Sequence, residues 1–343
     1  MTARPESPAT TPVHPVLAII EAPSPLGLRP PAPSRVPGVR FMPQVLRAAG
    51  LWTHVPRALF ASLPEPDYQP EVDPSTGVRN LPELERFTRD LSRVVSAALE
   101  ANSRPIVIGG DCSVLLGAAL ALARRGRHRL VHVDGHSDFA HEGNMGRLYP
   151  NVAGAALAIV TGRGPAALTS IDGRGPYFRD DDVLQLGAKA EPGTPDWLED
   201  FARTTIERVP SAWVNAHGAV AALERVARWL ARGPAGKFWL HVDVDVLAPA
   251  LLPAVDSPDE GGIDWAAFET ILGGLVSRPE FIGANIGIYD PELDPDRRYA
   301  RQLVEVLARV LGLGTRGAGP GPYGTSLWPS GHDLPDSANG ATS

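Results

Sequence analysis

The sequence predicts an α/β fold: a single three-layer α/β/α domain with a mostly parallel central sheet. Short apolar runs of β type alternate along the chain with longer segments of helical periodicity, as in a parallel sheet with helices on both faces. The runs at residues 130–133 and 238–242 are almost continuously apolar, which is typical of strands covered on both sides. With 343 residues, of which 43% are apolar, the chain can bury one large core.

The predicted elements follow one another between residues 16 and 312, which we expect to form one domain. Strands are predicted at residues 16–20, 106–108, 130–133, 183–186, 238–242 and 281–288. Helices are predicted at residues 81–101, 114–125, 216–231, 265–276 and 295–311, and a Pro-rich loop reaches Pro43. Residues 1–15 and 313–343 are rich in Pro, Ser, Thr or Gly and lack an apolar period, which predicts two disordered tails.

Charge and composition exclude several classes of protein. A net charge of −7 with scattered Lys and Arg leaves no basic stripe for nucleic acid. No apolar stretch approaches the ~20 residues of a membrane span, and the first residues lack the apolar core of a signal peptide. The single cysteine, Cys112, cannot form an internal disulfide, which suits a reducing compartment. We therefore expect a cytoplasmic protein that acts on a small molecule, without nucleic-acid or membrane partners.

Two groups of carboxylates follow predicted strands. Asp134, His136 and Asp138 follow the strand at 130–133, and Asp243 and Asp245 end the strand at 238–242. Loops at the carboxyl ends of neighbouring parallel strands open into one crevice, so these side chains can converge. Four ionised carboxylates in one cleft repel each other unless their pKa values shift or a cation neutralises them. The pattern predicts a divalent metal site and a metal-dependent hydrolase.

A third segment, Gly109-Gly110-Asp111-Cys112-Ser113, follows the strand at 106–108. In their order and spacing, the three motifs resemble the arginase and agmatinase (ureohydrolase) family, and the resemblance extends over about residues 16–311. It implies an arginase-like fold, two Mn²⁺ ions, and a metal-bridged water or hydroxide that attacks a guanidino carbon and releases urea. It also implies that Asp134 and Asp243 bridge both ions, and that the chain forms a homo-oligomer, a trimer or hexamer.

The remaining ligands implied by the resemblance differ between the two ions. His136 and Asp245 would complete one ion, and Cys112 and Asp138 would complete the other, where family members usually have His in place of Cys112. A thiolate is anionic and soft, whereas Mn²⁺ prefers oxygen and nitrogen donors. The thiolate leaves the occupied site with a net negative charge, whereas histidine would leave it neutral. We therefore expect the Cys112 site to bind Mn²⁺ weakly or to take Zn²⁺ or Fe²⁺.

Other positions also depart from the family pattern. Asn151 stands where the family usually has a histidine for proton transfer, so His141, Glu142 and Asp256, in predicted loops, are the candidates for this role. Ile288 stands where guanidine-hydrolysing members place a Glu that binds the guanidinium. An isoleucine cannot hold a cation, which argues against ordinary arginase activity.

The sequence thus predicts hydrolysis of a non-peptide C–N bond in a small amidino, guanidino or ureido substrate that is modified or less basic than arginine. One alternative is a catalytically impaired ureohydrolase-like scaffold that binds a ligand without turnover. A metal-dependent deacetylase is a third hypothesis. It rests only on similarity of the fold and predicts release of acetate.

Structural roles remain open for several of these residues. If its role is only structural, Cys112 is an inert buried thiol, because free cysteines commonly behave as small hydrophobes. Asp111 would shape its loop, and Asp256 would open a turn. His241 shares a strand face with Asp243 because the period is two, and its expected role is packing beneath the metals. Lys189, after the strand at 183–186, is expected to be solvated.

Overall fold

The computed structural model describes residues 16–55, 58–145, 151–189, 196–233 and 236–312. The strands are β1 (Leu17–Glu21), β2 (Leu59–Ser62), β3 (Arg104–Ile108), β4 (Arg129–Val133), β5 (Val183–Leu186), β6 (Glu207–Val209), β7 (Phe238–Asp243) and β8 (Phe281–Gly287). They form one eight-stranded sheet in the order β2-β1-β3-β8-β7-β4-β5-β6. Every neighbouring pair is parallel, which confirms the predicted α/β class.

Helices flank this sheet. They are α1 (Met42–Ala48), α2 (Leu81–Glu100), α3 (Val114–Ala123), α4 (Glu142–Met145), α5 (Ala156–Val160), α6 (Ala166–Thr169), α7 (Asp196–Ala202), α8 (Ser211–His217), α9 (Ala219–Leu230), α10 (Trp265–Val276) and α11 (Arg298–Gly312). Helix α3 packs against α2 and α5, while α10 packs against α9 and α11. Sheet and helices together make the predicted three-layer arrangement.

The central strands carry the core and position the loops that follow them. Every residue of β4 and β7 is buried, because helices cover both faces of a parallel sheet. Trp239, Phe238 and Phe281 are among the largest fully buried side chains. Since β3, β8, β7 and β4 are consecutive neighbours, their carboxyl ends lie along one stretch of the same sheet edge.

Strands β2 and β6 were not predicted from the sequence. Both lie at the edges of the sheet. They contain 4 and 3 residues, most of them only partly buried or exposed. A strand this short, with one side unpaired, has neither a continuous apolar run nor a clear alternation, and pattern reading does not find it.

Three predicted boundaries were wrong. The helix predicted at 216–231 is two helices, α8 and α9, separated by Gly218 at φ 88°. The Pro-rich loop ends before Pro43, which lies in the first turn of α1, where proline is favourable. The helix predicted from residue 295 begins at Arg298, because the Asp294 carboxylate accepts its N–H at 2.9 Å and fixes the first turn there.

The two predicted disordered tails, residues 1–15 and 313–343, lie outside the described residues. Among the helices of the described ranges, none combines the length and apolar character that a membrane span requires.

Helix α3 contacts α2 through Gly117. A Cβ atom at this position would lie 2.7 Å from Cγ and 2.8 Å from Cβ of Leu91, whereas a Cβ atom at Gly273 in α10 would meet nothing within 4 Å. Leu91 is fully buried and cannot yield without disturbing the core. The same substitution is therefore expected to act in opposite directions at the two positions.

We expect Gly117→Ala to lower the free energy of unfolding by about 1–3 kcal/mol through overpacking. Gly273→Ala should raise it by about 0.5–1 kcal/mol, because alanine is the better helix former. Urea unfolding followed by circular dichroism measures both changes. Stabilisation by Gly117→Ala would contradict the close contact between α2 and α3.

Candidate metal centre

The register of the sheet brings the two acidic motifs together. Val133 on β4 pairs with Val242 on β7, so Asp134 and Asp243 come next on adjacent parallel strands. Asp243 in turn pairs with Gly287, the last residue of β8. The convergence expected from two separate strand ends is therefore a direct result of strands β4, β7 and β8 lying side by side.

The loop after β3 adds Cys112 to this edge. Gly110 adopts φ 73°, and a Cβ atom there would lie 2.6 Å from the carbonyl oxygen of Ser24, so both conformation and space require glycine. The buried Asp111 carboxylate accepts N–H groups from Gly27 at 2.9 Å and from Ser113 at 2.8 Å. Asp111 therefore has the loop-shaping role expected of it.

The first ligand cluster surrounds Cys112. One donor atom each from Cys112, Asp134, Asp138 and His241 lie within 4.8 Å of one another, and all four side chains are buried. The Cys112 Sγ also donates to Asp243 Oδ2 at 2.9 Å. The backbone of Asp138 is left-handed, at φ 46°, where the turn after β4 directs its side chain into this group.

The second cluster shares Asp134 with the first. Donor atoms of Asp134, His136 and Asp245 lie within 4.8 Å of one another. His136 Nδ1 is 2.8 Å from Asp245 Oδ2, and its Nε2 is 2.8 Å from Asp259 Oδ2. Asp243 Oδ1 accepts the N–H of Asp245 at 2.7 Å, which orients both carboxylates. A carboxylate common to two ligand groups is the arrangement expected of a bridging ligand.

Several buried polar atoms in this region have no hydrogen-bond partner among the described residues. They are Asp134 Oδ2, Asp138 Oδ2, His241 Nε2 and both ring nitrogens of His132. Orphaned buried polar atoms are rare because each costs desolvation free energy. Carboxylate oxygens and an imidazole are suitable donors for Mn²⁺, and a thiolate suits a softer ion, so the residues present fit a divalent centre.

The pKa values also reflect the crowding of buried acidic groups in this region. Burial, reinforced by neighbouring carboxylates, raises the pKa of Asp138, Asp243 and the Cys112 thiol well above their ordinary values. Burial alone would lower the pKa of His136, but the Asp245 carboxylate outweighs it and raises the pKa to about 11. Without a cation the cluster therefore retains protons that a bound metal would displace.

Sequence reasoning did not single out His132. Its ring stacks on that of His241 with centroids 4.4 Å apart, and both Nε2 atoms approach Asp134 Oδ2, at 3.6 Å for His132 and 3.7 Å for His241. His132 pairs with His241 in the sheet and lies two residues before Asp134. The period of two that placed His241 on the face of Asp243 would have found His132 as well.

Two of the candidates for proton transfer, Asp256 and His141, and Asn151, which takes the place of the family histidine, occupy three different environments. Asp256 retains exposed surface, yet the protein around its carboxyl group desolvates it and, together with Asp245, raises its pKa to about 6. His141 Nε2 is 2.6 Å from Asp200 Oδ2, and its Nδ1 accepts the N–H of Gly143. Asn151 Oδ1 accepts the N–H of Gly154 at 2.6 Å. Of the three, Asp256 interacts electrostatically with the metal clusters, and the other two have local partners.

Two loop residues complete the surroundings. Lys189 was expected to be solvated, but its side chain is buried, and its Nζ donates to the carbonyl oxygen of Asp259 at 3.0 Å. This expectation was wrong because the chain after β5 folds back over Gly135, whose carbonyl oxygen accepts the Lys189 N–H. Asp259, the partner of His136, was not predicted; its nearest sequence signal is the acidic turn that starts at Asp256.

Ile288 follows β8 directly and has an unusual backbone. It is buried, with φ 77°, a conformation that β-branched residues rarely adopt. Its N–H donates to the carbonyl oxygen of Gly110 at 2.9 Å, which connects it to the loop that carries Cys112. Strain of this kind costs about 1–3 kcal/mol and is concentrated at functional sites.

Both the sequence and the fold of this chain are similar to those of known proteins. The arginase family model matches residues 18–312. The arginase of Brevibacillus brevis is 26% identical over 292 residues, which cover 80% of this chain and 92% of that protein. The crystal structure of arginase from Bacillus cereus superposes with a TM-score of 0.74 at 22% identity, over 87% of this chain and 99% of that one.

The fold is also shared with a protein whose name describes a different activity. Proclavaminate amidino hydrolase from Streptomyces clavuligerus has a TM-score of 0.62 at 20% identity, over 88% of this chain and 92% of that one. The family match runs from the first strand to the last helix and includes all three motifs. The chain belongs to the arginase family.

Proposed function

We propose that this protein is a Mn²⁺-dependent hydrolase of a non-peptide C–N bond in a small linear amidine, guanidine or ureido compound. The observation that supports it best is the pair of ligand clusters that share Asp134, with buried donor atoms that lack partners. A scaffold without metal has no physical need to bury this many acidic groups together. We also propose that residues 16–312 form the catalytic domain and that the protein is a cytoplasmic homotrimer or homohexamer.

The proposed ligands divide between two ions. Asp134 and Asp243 would bridge them, His136 and Asp245 would complete one, and Cys112 and Asp138 the other. When bound, two divalent ions lower the pKa of a shared water and polarise the carbon that it attacks. Asp259 would hold the Nε2–H of His136 and thereby direct Nδ1 toward its ion.

Asp256 is the proposed proton donor for the leaving amine. With a pKa raised to about 6, it exchanges protons near neutral pH, as a general acid should. Such a group typically contributes about 10²–10⁴ in rate. His141 and Asn151 are weaker candidates, because the described contacts of their side chains are made with Asp200, Gly143 and Gly154.

The proposed substrate is less basic than arginine, for instance an N-hydroxylated guanidine or a biosynthetic intermediate. At the position where guanidine-hydrolysing members carry Glu, this chain has the buried, apolar Ile288. An apolar side chain gives a guanidinium no compensation for the water it loses on binding. The fold alone does not select arginine, since an amidino hydrolase of proclavaminate shares it.

Metal binding is expected to release protons. The raised pKa values of His136, Asp138, Asp243 and Cys112 mean that these groups keep their protons to higher pH in the metal-free protein than they would in water. Raising the pH removes this competition, so the apparent affinity should rise about tenfold per pH unit for each proton displaced. Calorimetric titration with Mn²⁺ in buffers of different ionisation enthalpy counts the protons. An affinity independent of pH would contradict the proposed ligand protonation.

The two ions are expected to differ in identity. Protein purified without added metal should hold fewer than two Mn per chain by elemental analysis, with Zn or Fe on the Cys112 side, because a thiolate is a soft donor. Cys112→His should raise the Mn content toward two. Cys112→Ser is the matched control, since it keeps the size of the side chain and removes the soft donor. Two tightly held Mn ions in the unmodified protein would refute the asymmetry.

Activity is expected on a modified or less basic substrate and to be weak on arginine. A panel of guanidino, amidino and ureido compounds, assayed with Mn²⁺, Zn²⁺ and Fe²⁺ for urea and ammonia, measures this preference. Fast release of urea from arginine would refute the argument from Ile288, and release of acetate from acetylated amines would favour a deacetylase.

The same assay separates an enzyme from a binding scaffold. Asp243→Ala should abolish turnover and lower metal content, with the fold checked by thermal unfolding. Unchanged ligand binding by the Asp243→Ala variant, together with no turnover by the unmodified protein on the whole panel, would favour the catalytically impaired scaffold.

A further inference from the structure

His241 lies at the centre of the metal site without an assigned role. It is fully buried on β7, two residues before Asp243, and its ring nitrogen lies within 4.8 Å of donor atoms of Cys112, Asp134 and Asp138. Proximity alone would make it a further ligand of the ion on the Cys112 side. Whether it can ligate depends on which ring nitrogen carries the hydrogen, and the surrounding hydrogen bonds decide that.

The hydrogen bonds of Trp239 and Asn285 determine the tautomer of His241. The indole Nε1–H of Trp239 donates to Asn285 Oδ1 at 2.8 Å, and both side chains are buried. This bond fixes the orientation of the amide, because the reversed amide would place its NH₂ group against the indole N–H. The amide Nδ2 therefore faces His241 Nδ1, at 2.6 Å.

A ring nitrogen that faces an NH₂ group must be the acceptor. His241 Nδ1 is thus unprotonated, and the neutral ring carries its hydrogen on Nε2. A nitrogen that carries a hydrogen has no free lone pair for a metal ion, so Nε2 in this tautomer cannot ligate.

The Nε2–H group is directed at Asp134. Nε2 lies 3.7 Å from Asp134 Oδ2, next to His132 Nε2 at 3.6 Å from the same oxygen, and neither His241 Nε2 nor Asp134 Oδ2 makes a hydrogen bond to the residues described. A displacement of a few tenths of an ångström brings the pair into hydrogen-bond range. The other oxygen, Oδ1, already accepts the N–H of His136 at 2.6 Å. A hydrogen bond from His241 to Oδ2 would then hold the second oxygen and fix the orientation of this carboxylate.

We propose that His241 is a positioning residue for the shared carboxylate of Asp134 and not a metal ligand, and that Trp239 and Asn285 impose this by fixing its Nε2–H tautomer. The inference rests on the proposed metal centre, but the tautomer itself is a property of the metal-free protein. A hydrogen bond to Oδ2 would also withdraw electron density from this carboxylate. His136 is then the sole imidazole ligand among the described residues.

Nitrogen NMR of histidine tests the proposal. The full chain is labelled with ¹⁵N-histidine, and His241 is assigned by comparison with His241→Gln. In the metal-free protein we expect a protonated Nε2 and an unprotonated Nδ1 for His241. After loading with ¹¹³Cd²⁺, we expect a ¹¹³Cd–¹⁵N coupling to His136 and none to His241. A protonated Nδ1, or a cadmium coupling to His241, would overturn the proposal.

Asn285→Asp provides the converse experiment. The new carboxylate keeps an acceptor for the Trp239 indole and offers a second one to His241 Nδ1, so the ring should change to the Nδ1–H tautomer. Its Nε2 lone pair then faces the metal site, and a cadmium coupling to His241 should appear. Changes in the residues that orient a ligand typically alter metal affinity about 10- to 100-fold, which titration with Cd²⁺ measures. Persistence of the Nε2–H tautomer in this variant would contradict the role of the amide.

Trp239→Phe is the second variant and keeps the buried aromatic ring. Without the indole N–H the amide of Asn285 is free to reverse, so His241 should show both tautomers. A spectrum identical to that of the unmodified protein would show that the indole does not fix the amide. The tautomer measurements succeed or fail regardless of whether any substrate is hydrolysed, so they are distinguishable from failure of the proposed function.

Discussion

The structure depends on one electrostatic constraint, the burial of several acidic groups at the carboxyl edge of a parallel sheet. Asp134, Asp138, Asp243 and Asp245 are all buried, and Cys112 lies among them. The apolar strands that deliver them stabilise the fold, but the charges they place together are unfavourable without compensation. Divalent cations would provide that compensation, so the same arrangement that would otherwise destabilise the domain suits the proposed metal centre.

The sequence predicts those parts of the site that lie in continuous segments of the chain. Asp134 and Asp243 follow nearly unbroken apolar runs, and the strand that ends in Gly109-Gly110 has its own turn signal, so their convergence follows from parallel strands alone. The edge strands, the burial of Lys189 and the contact of Asp259 with His136 depend on how distant loops fold over the sheet. No local pattern encodes such contacts, and only the assembled structure shows them.

The two halves of the centre are chemically unequal. On one side, His136 lies between Asp245 and Asp259, which orient it from both ring nitrogens. On the other side, Cys112 supplies a thiol whose pKa burial raises, and the Asp111 carboxylate shapes its loop. In the proposed centre, the first half would be an oriented imidazole site, and the second would have a softer thiolate in place of the histidine that is usual in the family. Such inequality would allow each position to hold a different ion.

The backbone hydrogen bond from Ile288 to Gly110 joins the place where a substrate would be selected to the loop that supports Cys112. Neither residue can move far without the other, because the bond is buried and the backbone at Ile288 is already strained. In thermodynamic terms, the two binding events then share a coupling free energy. A compound that shifted Ile288 would then change the affinity of an ion on the Cys112 side, and that ion would change the affinity of the compound by the same factor.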